Sequence, residues 1–328
     1  MGSSNKKKKE KKKDFQKPKF KVGKDKPKAS NFTDTSFKSK DVVQQFKHSL
    51  SLASGSKSDK QRREALAYLT SQLSSEPPTN PVGTHAVLTK LLPLISDSST
   101  PVRSQLLKLL RVLPPAEVRH SVEQAIMFIR AGMTHLSADI SNDSLGVMEW
   151  LLDVAEGDLV ICPGGWVKTL NSFCAMMGWA LSSSKAGWSS GSRSGLRPKD
   201  ASTYARQITT LSRFIEAGLR YEDEIPDDES EIWDNLYRIP RDSNAFEYLN
   251  LYGSRRDEEG EMYPSREARQ RVFQRRFLEA IFKGADQAKK EGGATGRAAA
   301  SLDKVLQEGM GDYESSTAMD TQDLLSLW

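Results

Sequence analysis

The stretch GWSSG (residues 187–191) matches the G-x-S-x-G pattern in which an exposed serine acts as the nucleophile of a hydrolase. That chemistry needs a strand before the serine, a helix after it and a histidine further along the chain to serve as the base. The match lies instead in a Ser/Gly-rich stretch predicted to be a loop between helices, and no histidine follows His135. The pattern therefore predicts no nucleophilic serine.

A second candidate, GGWVKT (residues 164–169), is faintly similar to a phosphate-binding loop. Such a loop needs a glycine directly before its lysine, so that the backbone can wrap around the phosphates, and here Val167 occupies that position. We interpret Trp166 and Val167 as the first buried turn of a helix. The sequence therefore predicts no nucleotide site.

Histidine and cysteine are too sparse to form a metal or acid–base site. His135 lies near Asp139 and Asp143, and we interpret it as a bridge across a turn between two helices rather than as a proton-transfer group. The four histidines and the two thiols, Cys162 and Cys174, show no metal-ligand spacing. The sequence predicts no catalytic residue, no cofactor and no metal, and both thiols are expected to be reduced core residues.

Basic charge is concentrated at the start of the chain. Residues 1–40 contain 15 lysines against four acidic residues, a net charge of +11, whereas the whole chain has a net charge of +5. The remainder is therefore mildly acidic, which argues against a broad nucleic-acid-binding face on the folded part. The lysine run has the composition of a nuclear localisation signal, carried by Lys6, Lys7, Lys8, Lys9, Lys11, Lys12 and Lys13.

Phenylalanines alternate with lysines through the rest of this basic tail. Aromatic rings can stack on bases while cations follow the phosphates, so the tail is the best candidate site for RNA or a partner protein. A merely solubilising tail is the alternative, although solvation does not need four phenylalanines within so short a stretch. The candidate residues are Phe15, Lys17, Lys19, Phe20, Lys21, Lys24, Phe32, Phe37 and Lys38.

The six tryptophans divide into two groups. Trp150, Trp166 and Trp179 lie on predicted helices and are expected in the core. The other three fall in predicted loops or linkers and are therefore candidate partner contacts: Trp188, Trp233 and Trp328.

The elements that carry these residues are predicted to be helices almost throughout. Apolar residues recur at intervals of three and four in residues 117–134, 164–181 and 200–219, which indicates one-sided helices that pack on neighbours. No segment has the alternation of a strand series. The pattern predicts an all-α protein.

Four helical segments also align with one another, on Leu69, Leu110, Leu152 and Leu211. The last interval equals the others, about 41 residues, once the Ser/Gly-rich insert 182–199 is removed. A period near 41 in paired helices is typical of HEAT or armadillo arrays. We therefore predict a HEAT/armadillo-like α-solenoid, with an irregular helical bundle as the alternative.

The flanking regions differ from this array in composition. Lysine-rich or Gly/Ala-rich stretches without helical or strand periodicity predict disorder, and eight acidic residues in 222–234 indicate a linker. The predicted organisation is a disordered basic tail (1–40), a helical-repeat domain (41–220), an acidic linker with a short ordered piece (221–264), a basic helix (265–284) and a mostly disordered, largely irregular C-terminus (285–328). The final TQDLLSLW is a candidate docking peptide.

Cellular placement follows from the same composition. The lysine-rich start is not followed by an apolar signal core, and no run reaches 18 apolar residues. We expect a soluble intracellular protein without a membrane contact or a small-molecule substrate.

Two long stretches resemble a known family. DFQKPKFKVGKDKPKASNFTDTSFKSK (residues 14–40) resembles the opening of the pre-rRNA-processing family that contains the fungal Ipi-one and animal testis-expressed-protein-ten proteins. FIRAGMTHLSADISNDSLGVMEWLL (128–152) and CPGGWVKTLNSFCAMMGW (162–179) resemble the same family more strongly. Ser141 departs from the pattern, because relatives often carry arginine there, and this chain therefore lacks any contact that the arginine side chain makes.

The resemblance implies a subunit of the nuclear Rix complex, acting beside a helical-repeat subunit and a WD40 propeller subunit. It also implies work on pre-60S particles: processing of the second internal transcribed spacer of pre-rRNA and recruitment of a remodelling AAA ATPase. On such particles the basic tail would contact rRNA or an acidic surface of a partner. The expected location is the nucleus, in nucleoplasm and nucleolus. The alternative function is a chromatin-associated helical-repeat adaptor in DNA replication or heterochromatin, since a basic tail does not distinguish DNA from RNA.

Overall fold

The computed structural model describes residues 35–75, 80–179, 200–220, 257 and 259–313. Within these ranges the chain is helical and contains no strand, which confirms the all-α class. The chain divides into two compact units, residues 1–42 and 43–328. Of the first unit, only the beginning of one helix lies in the described ranges, so the architecture below is that of the second.

Twelve α-helices and one 3₁₀ helix are present in the described ranges. They are α1 (Thr35–Gly55), α2 (Asp59–Leu73), α3 (Thr84–Leu91), the 3₁₀ helix (Leu92–Ser96), α4 (Thr100–Leu110), α5 (Pro115–Arg119), α6 (Val122–Met133), α7 (Ala138–Ile161), α8 (Val167–Met177), α9 (Ala201–Leu219), α10 (Arg266–Arg276), α11 (Leu278–Glu291) and α12 (Gly293–Met310).

The helices pack in two rows in the order of the chain. One row, here called the second-helix row, contains α2, α4, α7, α9 and α12, each packed on the one before. The other contains the 3₁₀ helix, α6 and α8, again packed in sequence. The leucines used to align the repeats lie on the second-helix row and are almost fully buried. This order is what a solenoid requires, whereas the HEAT or armadillo type remains a prediction.

An arginine near the start of α4 holds the turn before that helix to the next helix of the row. Arg103 is 4% exposed, and its Nη1 donates to the carbonyl oxygen of Asp97 at 2.6 Å. Nη2 donates to the hydroxyl of Thr100 at 2.9 Å and Nε to a carboxylate oxygen of Asp143 at 2.8 Å. Because the guanidinium donors have a fixed fork geometry, one side chain fixes both the turn and the inter-helix contact.

The same arrangement occurs 41 residues earlier. Nη1 of Arg62 donates to the carbonyl oxygen of Ser56 at 2.9 Å, and Nη2 donates to carboxylate oxygens of Asp59 at 2.7 Å and Asp97 at 3.0 Å. Arg62, Ser56 and Asp59 each lie 41 residues before their counterparts, which are Arg103, Asp97 and Thr100. The 41-residue period seen in the leucines therefore also appears in polar contacts, although those contacts were not used to find it.

The C-terminal region continues the array, and the prediction of a mostly disordered, irregular chain over 285–328 is wrong for residues 285–310. Helix α12 runs parallel to α9, since Thr295 donates to the carbonyl of Ala201 at one end and Gly309 lies against Leu219 at the other. The predicted basic helix 265–284 is two helices, α10 and α11, separated at Phe277. Residues 314–328 lie outside the described ranges.

Other predicted boundaries shift by a few residues. Helix α1 begins at Thr35, inside the region predicted as a disordered tail (1–40). Of the predicted linker 221–264, the structure describes residues 257 and 259–264, where Tyr263 is buried. The acidic stretch 222–234 lies outside the described residues.

Helices α8, α9 and α10 meet around one tryptophan. Trp166 is fully buried, and its ring stacks on Phe214 at 5.2 Å between centroids and lies 6.1 Å from Phe273. Its Nε1 donates to the carbonyl of Arg269 at 3.2 Å. The ring fits because Gly218 faces it: a Cβ there would lie 2.2 Å from the ring.

The side chain of Arg269 also stabilises this junction, by which we mean the contact of α8, α9 and α10 around Trp166. It is 2% exposed, with Nε donating to the carbonyl of Gly218 at 2.7 Å and Nη1 donating to those of Tyr263 and Pro264 at 2.9 and 2.6 Å. These carbonyls belong to the end of α9 and to the segment before α10. This junction therefore attaches the C-terminal helices, from α10 onward, to the helices that precede them in the array.

Candidate partner-binding surfaces

The predicted tail sites lie almost entirely outside the described residues. This holds for the lysine run, for Trp188, Trp233 and Trp328, and for all the tail candidates before residue 35. Phe37 and Lys38 lie in the first turns of α1. The tail as a binding segment therefore stays a prediction. The tryptophans predicted in the core, Trp150, Trp166 and Trp179, are buried, which confirms that interpretation.

The glycine pair of GGWVKT forms a structural turn before α8. The backbone N–H of Gly164 donates to the carbonyl of Glu261 at 3.1 Å, and that of Gly165 donates to the carbonyl of Cys162 at 2.8 Å. Phosphate loops instead present such N–H groups to the ligand. The tryptophan and valine that follow are fully buried, so the predicted first buried helical turn is confirmed.

The thiols and His135 are in structural positions. Burial raises the pKa of Cys162 to about 11, with partial compensation from the nearby Arg130 guanidinium, and raises the pKa of Cys174 to about 12. Both are free thiols that are almost wholly protonated at neutral pH and therefore weak nucleophiles. Cys174 is in the core as predicted, while Cys162 is only half-buried. The ring Nδ1 of His135 accepts from the N–H of Ser137 at 3.0 Å, which fits its predicted place in the turn.

The described residues offer neither a cluster of metal ligands nor a membrane-spanning helix. In the part of the chain that the structure describes, no three or more His, Cys, Asp or Glu side chains are grouped to hold a metal ion. None of the helices described is long and apolar enough to cross a membrane.

A ladder of ion pairs joins α7 to α9 on the second-helix row. Glu149 receives two hydrogen bonds from Arg206, at 2.7 and 2.6 Å, and these bonds raise the pKa of Arg206. The remaining pairs each have one bond of 2.6 Å: Asp153 with Arg213 and Glu156 with Arg220.

This ladder presents paired charges rather than a basic surface. Its members are partly exposed, so each pair stabilises the fold by about 0–1 kcal/mol. The ladder was not predicted, although the arginines from Arg206 to Arg220, spaced seven residues apart, are a sequence signal of one helix face. The face suits a partner with mixed polar groups better than a polyanion.

An apolar groove lies between α11 and α12, beside the end of α10. Its volume is about 480 Å³, and Phe282 on its wall is 48% exposed. The sequence did not indicate it, because helix α12 was not predicted. The residues that line this C-terminal groove include Gln274, Leu278, Phe282, Lys283, Leu306 and Gln307. An apolar floor with a few polar groups on the rim is the usual form of a site for a peptide or helix.

Comparison with known proteins gives consistent matches. The family model described as "Rix1 complex component involved in 60S ribosome maturation" matches residues 116–215. The protein named "Pre-rRNA-processing protein IPI1" from Pyricularia oryzae is 53% identical to this chain, over 96% of this chain and 99% of its own length. The protein of that name from Chaetomium thermophilum is also 53% identical, over 94% of this chain and 96% of its own length. The Neurospora crassa protein of the same name is 54% identical over 94% of each chain.

A solved structure also matches. It is a chain of the "Rix1-Rea1 pre-60S particle - 60S core, body 1", 23% identical, with a TM-score of 0.42, covering 68% of this chain and 87% of that one. At this level of similarity the match adds nothing to the assignment of function.

Proposed function

The chain belongs to the IPI1 family of pre-rRNA-processing proteins, and from this premise we propose that it acts in maturation of the 60S ribosomal subunit as a non-catalytic scaffold subunit of the Rix complex. The observation that carries the proposal is identity above 50% along nearly the full length of several relatives of that name. Within this role the protein supports removal of the second internal transcribed spacer of pre-rRNA.

The scaffold role is supported by what the described helices offer. A two-row array presents extended helix faces, and here those faces include the ion-pair ladder and the C-terminal groove. Of the two sequence patterns closest to catalytic motifs, GGWVKT is a packed turn, whereas GWSSG lies outside the described residues. Binding is thus the function that these surfaces fit best.

Partners and location follow from the family as further parts of this proposal. The protein acts in the nucleus, in nucleoplasm and nucleolus, with a helical-repeat subunit and a WD40 propeller subunit, on pre-60S particles that an AAA ATPase remodels. The paired charges of the ladder suit protein partners, whereas rRNA contact is assigned to the basic tail.

Depletion with complementation tests the proposed function. Loss of the protein should accumulate pre-rRNA that still contains the second internal transcribed spacer and lower the 60S peak in sedimentation profiles, and the full-length chain should restore both. Affinity purification should return the two other subunits with pre-60S proteins. Recovery of replication or heterochromatin proteins without pre-ribosomal particles would favour the chromatin adaptor instead.

The basic tail can be removed without cutting the first helix. Deleting residues 1–34, which ends just before α1 begins at Thr35, should reduce nuclear accumulation and co-sedimentation with pre-60S particles. The physical reason is that this deletion takes away the lysine run and most of the cations that can follow phosphates. Fluorescence microscopy of a tagged chain and sedimentation through a sucrose gradient measure the two effects.

Two substitution sets separate charge from stacking in the tail. Replacing Phe15, Phe20 and Phe32 with alanine should weaken binding of the full chain to rRNA by about the same factor at low and high salt, because stacking depends little on ionic strength. Replacing Lys17, Lys19 and Lys21 with glutamine should instead flatten the salt dependence of binding. If deletion of residues 1–34 left localisation and sedimentation unchanged, the tail would be neither a nuclear localisation signal nor a particle-binding segment.

A further inference from the structure

We propose that the C-terminal groove is occupied in cis by the segment DLLSLW (residues 323–328) of the same chain. The groove lies between two helices of the array, and the segment follows the last of these helices in the sequence. The proposal concerns a surface that the role in ribosome maturation does not itself assign, and it does not depend on that role.

The groove leaves one large aromatic side chain in contact with water. Phe282 is 48% exposed, an uncommon state for a large aromatic ring, and it faces a cavity of about 480 Å³ with Leu278 and Leu306. Water in such a cavity contacts mainly apolar atoms, so an apolar occupant is favoured. At the rim, Lys283 is hydrogen-bonded to Glu279 and Gln307 donates to Asp303 at 3.3 Å, so this rim presents polar side chains to the backbone or hydroxyl groups of a peptide.

The chain leaves the end of α12 at a fixed point close to this groove. Nε2 of Gln270 donates to the carbonyl of Gly309 at 2.8 Å and to a carboxylate oxygen of Asp312 at 3.1 Å. Arg266 also binds the Asp312 carboxylate and holds its pKa below the usual value. Gln274, which lines the groove, is one helical turn beyond Gln270, a distance of about 6 Å along α10.

The connecting residues are long enough to reach the groove. Residues 314–322 can span about 30 Å when extended, several times that separation. A tether of this length gives an effective local concentration in the millimolar range, so even a modest affinity leaves the groove mostly filled. A separate partner has no such advantage.

The segment has the composition that an apolar groove selects. Leu324, Leu325, Leu327 and Trp328 are four large apolar residues within five positions, and residues 314–328 contain no Lys or Arg. In a helical conformation, positions 324, 327 and 328 would share one face, as in the groove-binding mode of short amphipathic helices. Such a segment exposed to water would be a liability, and the groove offers it burial.

Disulfide trapping in the full-length chain tests the proposal. The variant Gln307→Cys with Ser326→Cys places one thiol on the rim and one inside the segment without removing an apolar group. Under a mild oxidant at pH 8 it should form an intramolecular disulfide on the order of tenfold faster than Glu308→Cys with Ser326→Cys, which has the same tether but a position outside the groove lining. The native thiols should interfere little, because burial raises the pKa of Cys162 to about 11 and of Cys174 to about 12.

Two further variants test whether apolar contacts between the segment and the groove cause the faster disulfide formation. Adding Leu327→Asp, or separately Phe282→Ser, should lower the trapping rate to that of the Glu308 control. Thr321→Ala, next to the segment, should leave the rate unchanged.

Equal rates for the Gln307 and Glu308 pairs would overturn the proposal. A disulfide-linked dimer that grows with protein concentration would assign the groove to a second copy. Protection of a Gln307→Cys thiol from alkylation only when the purified partner subunits are added would assign it to them.

Discussion

Replacing Gly218 with valine is expected to lower the free energy of unfolding by about 3 kcal/mol, the upper end of the cost of overpacking a core. A Cβ at this position would lie 2.2 Å from the Trp166 ring. The ring cannot retreat, since it is fully buried against Phe214 and Phe273. Thermal unfolding followed by circular dichroism should show a melting temperature lower by about 6–12 °C.

A matched substitution elsewhere should have the opposite sign. Alanine is favoured over glycine inside a helix by about 1 kcal/mol. At Gly157 in α7 nothing lies within 4 Å of an added Cβ, so Gly157→Ala should raise the stability by up to about that amount. At Gly218 the clash outweighs this gain, and Gly218→Ala should destabilise the protein by about 1–2 kcal/mol.

Shrinking the opposing ring provides the decisive control. Combining Gly218→Ala with Trp166→Phe should cost less than the sum of the two single changes, because the smaller ring leaves room for the methyl group. Strict additivity, or a neutral Gly218→Val, would contradict the tightly packed junction described here.

Helices with a stripe of large apolar side chains could be predicted from the sequence. In α6, α8 and α9 such residues recur every three or four positions, and the structure buries those stripes. Three tryptophans were placed correctly in the core for the same reason. Periodicity reports one-sided burial directly, so these elements needed no tertiary information.

Helix α12 and the second half of α11, beyond residue 284, were missed because small residues form many of their contacts. A Cβ at Gly284 would lie 2.3 Å from the Trp179 indole, and one at Gly309 would lie 2.7 Å from Leu219. Alanines such as Ala288 and Ala299 are fully buried beside them. Glycine and alanine let helices approach closely, but in a sequence the same composition is typical of disorder. Only the neighbouring helices distinguish the two cases.

The candidate surfaces were harder to predict for a related reason. The C-terminal groove exists only where α11 and α12 are side by side, so no local pattern predicts it. The ladder between α7 and α9 combines residues about 60 positions apart, with an insert between them. The tail, in contrast, was indicated by composition alone, and its role as a binding segment stays a prediction.

Removing helix α12 should have the largest effect of any change considered. A chain that ends after Gly292 lacks Ala298, Ala299, Leu302 and Leu306, all buried, and uncovers the apolar face of α9 on which they pack. Burying a leucine contributes about 1.5–3 kcal/mol, so the helix as a whole contributes about 5 kcal/mol or more. That loss is comparable with the total stability of an ordinary domain. The truncated chain should therefore be mostly insoluble on expression, with no cooperative melting transition in any soluble fraction.

A second truncation isolates the helix from the segment after it. A chain that ends after Tyr313 keeps α12 and the Asp312 carboxylate bound by Arg266 and Gln270. It should stay soluble and melt within a few degrees of the full chain, since it loses at most the contribution of one docked peptide. If the chain ending after Gly292 were soluble and melted at the same temperature, α12 would be peripheral rather than part of the second-helix row. The expected pair of results would place the C-terminal boundary of the folded array between residues 292 and 313, well beyond the boundary at 220 predicted for the helical-repeat domain.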